Sequence, residues 1–597
     1  MLFWALAAVL GSALAVLQYR LGGGRHGGFP RALRAVALVV TLGLLFDAPS
    51  GPARAVRGYA ALDASASWLA VGDTALWRRA VRSADSVGAD TLLLVGDSVR
   101  AGNAPARPDD GASRTAPLVE RALGAGRSVT FVTDGRVDDP ERLADLPSGS
   151  RVVTLEGGAR PDAAVVSLDG PVAVVTGDTV QFTAVIAAGG AGARGGRLEL
   201  TLGGALLVAS PLDSLAPFGE REVRLKGFVG GAPGTRVVRA TVASDGDAIA
   251  RNDTLSFALE VAQGASAVFI SSSPDEDARY ALDVLRGTLA LPTRGYFRVA
   301  SGQWRVDGAL TRVGEDEVRR AIAAAPIAVL HGDTAVFGPP RALTRGALAL
   351  VAPPAQRGED FYAVGAPPSP LTASLGGLPW DSLPPVELGM AGRDAEWVGV
   401  TARRARRFDE RALVVGSSRP RRIVVVPAAG LWRWKFRGGR SADAFTALWG
   451  TIFDWMTGDA VDLRAAHPAA PWVRAGEPVR WRRGGARDSL AVVVLRPRGA
   501  ARGDTIVLHF AGEPALAVSP PLRAGIYETH VAGGDGLLVV NVSAEWLPRR
   551  PTVPSGAVGA APGADRAPRA RSAWWLYALA LAALCGEWIL RRRIGLR

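Results

Sequence analysis

Two apolar stretches at the start of this 597-residue chain and one near its end constrain what everything between them can become. Leu2–Leu17 holds no charge, Ala35–Phe46 is extended at its start by Leu33, and Trp574–Leu590 carries only Glu587, near its end. The first two are shorter than the ~20 residues an untilted membrane-spanning helix needs. As a cleaved signal the first run lacks the usual basic n-region. With Arg20, Arg25, Arg31 and Arg34 between them, the first two runs read as a helical hairpin. Trp574, Trp575 and Trp588 edge the third run as interfacial anchors, Glu587 is placed to reach the headgroups, and Arg591–Arg593 follow at once. Short arginine-rich segments stay cytoplasmic. The first loop and the tail are therefore predicted to be cytoplasmic, and residues 48–571 to face the periplasm or exterior of a bacterial inner membrane.

The net charge of +13 does not indicate nucleic-acid binding. Much of the excess flanks the apolar runs, arginine elsewhere alternates with Asp and Glu, and no basic-aromatic reading module occurs. The single cysteine, Cys585, lies inside the third run. One thiol per chain excludes an internal disulfide framework and a cysteine-ligated zinc or iron–sulfur site.

Hydrophobic periodicity divides the rest. Residues 48–161 alternate buried-type strands (Thr91–Val95, Ser128–Val132, Arg151–Leu155) with helical stretches (Asp73–Val87, Leu118–Leu123), which predicts a parallel sheet with helices on its faces. From 162 to 262 the period changes to two. Val180–Ile186, Leu198–Leu202, Glu222–Lys226 and Thr254–Val261, separated by Gly- and Asp-rich turns, predict an immunoglobulin-like β-sandwich. Alternation returns over 263–459, with strands at Ala267–Ile270, Ile327–Leu330, Ala347–Val351 and Ile423–Val426, and helices at Asp275–Leu289 and Ser441–Thr457. Residues 460–548 read as a small β-domain. Residues 549–571, rich in Pro, Ala and Gly, read as a semi-extended linker to the last membrane segment, 572–597. The fold class is thus multidomain, α/β plus β, with a two-helix membrane anchor at 1–47 and a third span at the other end.

Within the first α/β segment two strand ends carry the polar residues of interest. Asp63, Ser65 and Ser67 alternate after one apolar run, and Thr133-Asp134-Gly135 closes another. Open α/β sheets bind ligands at the carboxyl ends of their strands. Carboxylate and hydroxyl oxygens suit a hard cation such as Mg²⁺.

This Asp-x-Ser-x-Ser followed by Thr-Asp-Gly resembles the metal-ion-dependent adhesion site of von Willebrand factor A domains, over about residues 55–158. The resemblance implies Mg²⁺ held by Asp63, Ser65, Ser67 and Asp134, with a middle-loop hydroxyl from Gly111–Pro117: Ser113 in one register, Thr115 in the other. The segment is short for that fold, so its last elements are expected to be missing. The 263–459 segment resembles the class I glutamine-amidotransferase-like domain of membrane-bound bacterial proteins that also carry a von Willebrand A domain. Such an enzyme needs a cysteine nucleophile with a histidine base. Cys585 is in the wrong place, and His331 is the only histidine in the segment, so this domain is expected to be inactive. Ser271-Ser272-Ser273 reads as an ordinary helix cap, and Trp432, Trp434 and Phe436 as a packing plug.

The order of segments resembles the membrane-anchored von Willebrand A proteins found beside MoxR-type ATPases, loosely the BatA/BatB group. That implies a non-enzymatic scaffold or assembly factor that binds another protein outside the cytoplasm through the bridging metal. The alternatives are an extracytoplasmic hydrolase with a non-cysteine nucleophile in the second α/β domain, and a purely structural protein with a vestigial metal site.

Overall fold

The computed structural model describes residues 2–21, 28–50, 58–71, 74–289, 291–333, 335–354, 359–390, 395–405, 409–458, 464–484, 489–511, 516–560 and 569–593. Arg25, Asp73 and the last four residues, which enter the expectations above, lie outside these. The chain forms two compact units, one of residues 1–68, 72–157 and 551–597 and the other of 69–71 and 158–550.

The first unit opens with α1 (Leu2–Leu21) and α2 (Gly28–Leu45), both long and apolar enough to cross a membrane. The two pack closely: a side-chain carbon on Gly11 would lie 2.9 Å from the Val39 backbone nitrogen, so only glycine permits this approach. Helix Trp574–Arg593 packs along α2. Glu587 does not reach outward as expected. It is buried, accepting hydrogen bonds from the Tyr19 hydroxyl (2.9 Å) and Arg34 (3.1 Å), with Arg591 3.7 Å away. A carboxylate in an apolar run is costly to leave unpaired, and neighbouring helices supply the partners.

The rest of this unit is an α/β sheet. Strands β1 (Tyr59–Asp63), β2 (Leu92–Val95), β3 (Val99–Ala101), β4 (Val129–Thr133) and β5 (Ser150–Thr154) lie in the order β3-β2-β1-β4-β5. All pair in parallel except β3, which folds back on β2. The central strands are apolar on both faces because both are covered. One face packs α5 (Ala116–Ala125), whose Leu118, Val119 and Ala122 meet Ala61, Leu93, Phe131 and Val152. The short helix α3 (Ser67–Val71) and α4 (Thr74–Asp85) follow β1, and α4 packs against β1 and β4. There Trp68 and Trp77 stack edge to face at 6.0 Å, and the Trp68 indole donates to the Asp63 carbonyl at 2.8 Å.

A sixth strand, Gly556–Val558, runs antiparallel along β5. This corrects the reading of 549–571 as a semi-extended linker: part of it is a strand of the first sheet. Val553, 6% exposed, joins the core with Leu146 and Val152. Ser555 Oγ accepts the Thr154 N–H at 2.7 Å from 401 residues away. Without this strand β5 would present an unpaired edge.

In the second unit, a five-stranded sheet (Ala205–Leu212, Gly196–Leu202, Gly234–Ser244, Thr254–Ala262, Ala173–Val175) faces a three-stranded one (Glu220–Phe228, Thr179–Ala188, Ala163–Asp169). Their alternating inward residues, Phe182 and Phe257 among them, form one core, as the two-residue period required. A twelve-stranded mixed sheet follows. At its centre are the parallel strands Ala267–Ser271, Ile327–His331, Ala347–Val351 and Ile423–Val426. Helix Gly439–Thr457 buries Phe445, Leu448, Trp449, Ile452, Phe453 and Met456 against it. Two small sheets built on Trp481, Val493 and Leu538 form the last β-domain. That domain is bolted to the sandwich: the Asn541 side chain takes the place of a strand neighbour, accepting Ser256 N–H (2.8 Å) and donating to Ser256 C=O (2.9 Å).

Candidate functional site

The polar residues at the carboxyl ends of β1 and β4 meet because the strands are in register: Leu62 pairs with Val132, so Asp63 and Thr133 emerge side by side. Asp63 Oδ1 accepts the Ser65 N–H at 3.0 Å, an Asx turn that folds the chain back and brings Ser65 Oγ within 2.8 Å of Ser67 Oγ. Asp63 Oδ2 accepts from Thr133 Oγ1 (2.8 Å) and Ser113 Oγ (3.3 Å). Asp134 accepts the Arg136 N–H at 3.0 Å on Oδ1, and the Arg136 guanidinium lies 3.4 Å from Oδ2.

The two registers of the middle loop are distinguished here. Ser113 faces Asp63. Thr115 turns away to Asp139, whose Oδ1 accepts both its N–H (2.6 Å) and its hydroxyl (2.8 Å), while Oδ2 accepts the Ala116 N–H (2.8 Å). Asp139 thereby caps α5 from outside the helix, at the end where a carboxylate is favoured. Thr133 was missed as a site residue, although its place beside Asp134 in a Thr-Asp-Gly strand end was the signal for it. Gly135 is constrained: at φ 85° any side-chain carbon would lie 2.9 Å from Thr154 and 3.0 Å from the Val553 carbonyl.

Asp63, Ser65, Ser67, Ser113, Thr133 and Asp134 are all 0–1% exposed. Burial first, then the neighbouring Asp134 carboxylate, pushes the Asp63 carboxyl up to about 7, against the hydrogen bonds from Ser65 and Thr133. The oxygens suit a small hard ion. Ligands of an octahedral Mg²⁺ at ~2.1 Å lie roughly 3 Å apart along an edge. The Ser65–Ser67, Asp63–Thr133 and Asp63–Ser113 oxygen pairs, at 2.8, 2.8 and 3.3 Å, are already near that spacing. Replacing Ser113 by Ala should therefore weaken Mg²⁺ binding at least tenfold, measured by calorimetric titration. Thr115→Val should leave binding intact and cost about 1–2 kcal/mol of stability through the lost bond to Asp139.

The second α/β domain contains a serine–histidine–carboxylate contact that the sequence did not reveal. Ser271 Oγ lies 3.0 Å from His331 Nδ1, and Asp275 Oδ1 lies 3.4 Å from His331 Nε2. Ser271 and His331 are register partners on adjacent parallel strands, and both are buried, which lowers the His331 pKa. Asp275 instead caps the helix Glu276–Leu289 through the Ala278 N–H (2.9 Å). Of the aromatic trio, Trp434 is fully buried with its indole on the Pro384 carbonyl (2.8 Å), whereas Phe436 is 76% exposed.

No family model matches the chain, and no curated protein matches it. Among solved structures it is similar over part of its length to the CARDB domain of the PF1109 protein from Pyrococcus furiosus, a structure in complex with di-metal ions. Identity there is 21%, covering 17% of this chain and 94% of that one, with a TM-score of 0.16. A cell surface protein domain from Methanosarcina acetivorans gives 23% identity, 17% and 94% coverage, and a TM-score of 0.16. The β-glucosidase of Listeria innocua gives 16% identity, 18% and 16% coverage, and a TM-score of 0.14.

Proposed function

We propose that this chain is a membrane-anchored, extracytoplasmic scaffold or assembly factor whose first α/β domain, von Willebrand A-like, binds a protein partner through a divalent cation. The observation that carries this reading is the meeting of Asp63, Ser65, Ser67 and Ser113 at one sheet end with oxygen spacings that suit Mg²⁺, and with the Asp134 carboxylate close enough to raise the Asp63 pKa. These residues would hold the ion; when bound, it supplies a coordination position for a partner's Asp or Glu. Asp63 orients the serine hydroxyls, and Arg136 offsets part of the charge of Asp134. Because every one of these side chains is out of solvent contact, the partner's carboxylate enters only after a loop shifts. The membrane orientation follows from the arginine-rich first loop, with helix Trp574–Arg593 as a third span. A functional link to a MoxR-type ATPase belongs to the same reading.

The hydrolase alternative rests on the Ser271–His331–Asp275 contact. The burial of both the Ser271 hydroxyl (0% exposed) and His331 (3%) argues for a structural role. The second α/β domain, amidotransferase-like, is accordingly read as non-catalytic.

The test is a crosslinking pull-down of the full-length protein from its native membranes. Partner bands should be present with Mg²⁺ and lost with EDTA and in Asp63→Ala. Bands indifferent to both treatments would leave only the structural reading.

A further inference from the structure

We propose that Asp162, Asp247, Asn252 and Asp253 form a second divalent-cation site, suited to Ca²⁺, which clamps the β-sandwich to the last β-domain. Asp162 precedes the strand Ala163–Asp169, and the other three lie in the turn between Gly234–Ser244 and Thr254–Ala262. Asn252, 1% exposed, donates through its amide nitrogen to both Asp162 oxygens (3.3 and 3.1 Å) and to the Trp546 carbonyl of the last β-domain (2.8 Å). The other half of that amide, Oδ1, is buried with no hydrogen-bond donor, and so is Asp253 Oδ1. Buried acceptors are rarely left so, and an ion is one of the standard reasons when they are.

The surrounding charge supports this. Asp247 sits beside Asp162, since its Oδ2 accepts the N–H of the next residue, Ala163, at 3.0 Å, and two ionised carboxylates so placed repel unless a proton or a cation lies between them. Among the described residues no basic side chain is hydrogen-bonded to the three aspartates. All the donors are oxygen, so a hard cation is selected over zinc or copper.

Asp247 already orders the turn, accepting Ala163 N–H (3.0 Å) and Ile249 N–H (2.9 Å). Among the described residues no three acidic, His or Cys side chains yet surround one point. Binding must therefore draw Asp253 toward Asp162, and partly exposed Asp247 and Asp253 leave an approach from solvent. The clamp acts on a joint already carrying the Asn541–Ser256 pair and the Arg474 guanidinium, which donates to the Val166 and Val542 carbonyls. Affinity in the 10⁻⁴–10⁻³ M range would be usual for an extracellular calcium module.

The experiment uses full-length protein in detergent carrying Asp63→Ala, so that the first site is silent. CaCl₂ at millimolar concentration should raise its thermal midpoint. Tb³⁺, excited through tryptophan, should give sensitised emission that Ca²⁺ displaces. Asp253→Asn, which keeps the side chain's shape, should weaken both responses at least tenfold, and Asp162→Asn should do the same. No midpoint shift in the Asp63→Ala protein, or responses unchanged by Asp253→Asn, would overturn the proposal. A Ca²⁺ response seen only with Asp63 intact would also overturn it, assigning that ion to the first site.

Discussion

Millimolar Mg²⁺ should raise the melting temperature of the full-length protein in detergent, and Asp63→Ala should abolish the rise. An ion that binds only the folded state stabilises it by about 2.7 kcal/mol at a hundred times its dissociation constant. In a protein of several domains the clearer readout is hydrogen exchange of the peptides spanning Tyr59–Ser67 and Val129–Gly135, which should slow with Mg²⁺ while the sandwich peptides stay unchanged. The pH dependence has a definite sign. Without metal the folded-state pKa of Asp63 is raised from 3.8 to about 7. Its contribution to stability is thus fully present below pH ~4 and is lost as pH rises through 7. Mg²⁺ needs the ionised carboxylate, so its stabilising effect should be larger at pH 8 than at pH 6. In the metal-free state Asp63→Ala relieves the repulsion with Asp134 and should stabilise the fold at pH 8. If the exchange rates of those peptides ignore Mg²⁺ and Mn²⁺ at pH 8, the site is vestigial.

Val553→Asp should unfold the first α/β domain while leaving the second unit folded. Val553 belongs to the same core as Phe131 and Val152, and the backbone around it is tied down by hydrogen bonds: Thr552 and Val553 N–H both reach the Gly135 carbonyl (2.8 and 3.2 Å), and Thr154 Oγ1 reaches the Val553 carbonyl (2.8 Å). Burying a polar group there without a partner costs about 2–7 kcal/mol. Domains of this size are stable by ~5–15 kcal/mol, so the change is a large part of the whole. Limited proteolysis should release the 59–154 region from the variant and spare 163–541. Resistance equal to wild type would show that the closing strand is dispensable. The same dependence means that residues 48–158 alone lack a piece of their own sheet.

Much of the architecture was legible because it is written in local periodicity. The strands Tyr59–Asp63 and Ile327–His331 are continuous apolar runs, as strands covered on both faces must be, and Thr254–Ala262 alternates because only one face is covered. The first-site residues were legible for a similar reason: alternate residues of an extended turn share a side, so Asp63, Ser65 and Ser67 could be grouped without knowing their surroundings.

What failed to show did so for reasons of distance and direction. The choice between Ser113 and Thr115 depended on Asp139, which draws the threonine onto the helix end and leaves the serine facing Asp63. The inward turn of Glu587 depended on Tyr19 and Arg34, from helices at the other end of the chain. The acidic group at Asp162 is spread over almost a hundred residues of sequence and has no spacing motif to betray it.

The sequence by itself determined the apolar ends, the alternation of α/β and β segments, and the oxygen-rich character of the strand-end motif, because each is a property of residues close together in the chain. Only the tertiary structure decided that Gly556–Val558 closes the first sheet, that Ser271 rests against His331, and that Asn252 reaches Trp546. Pairings of this kind depend on the summed path of the intervening backbone, and a single short segment carries almost no information about where that path returns.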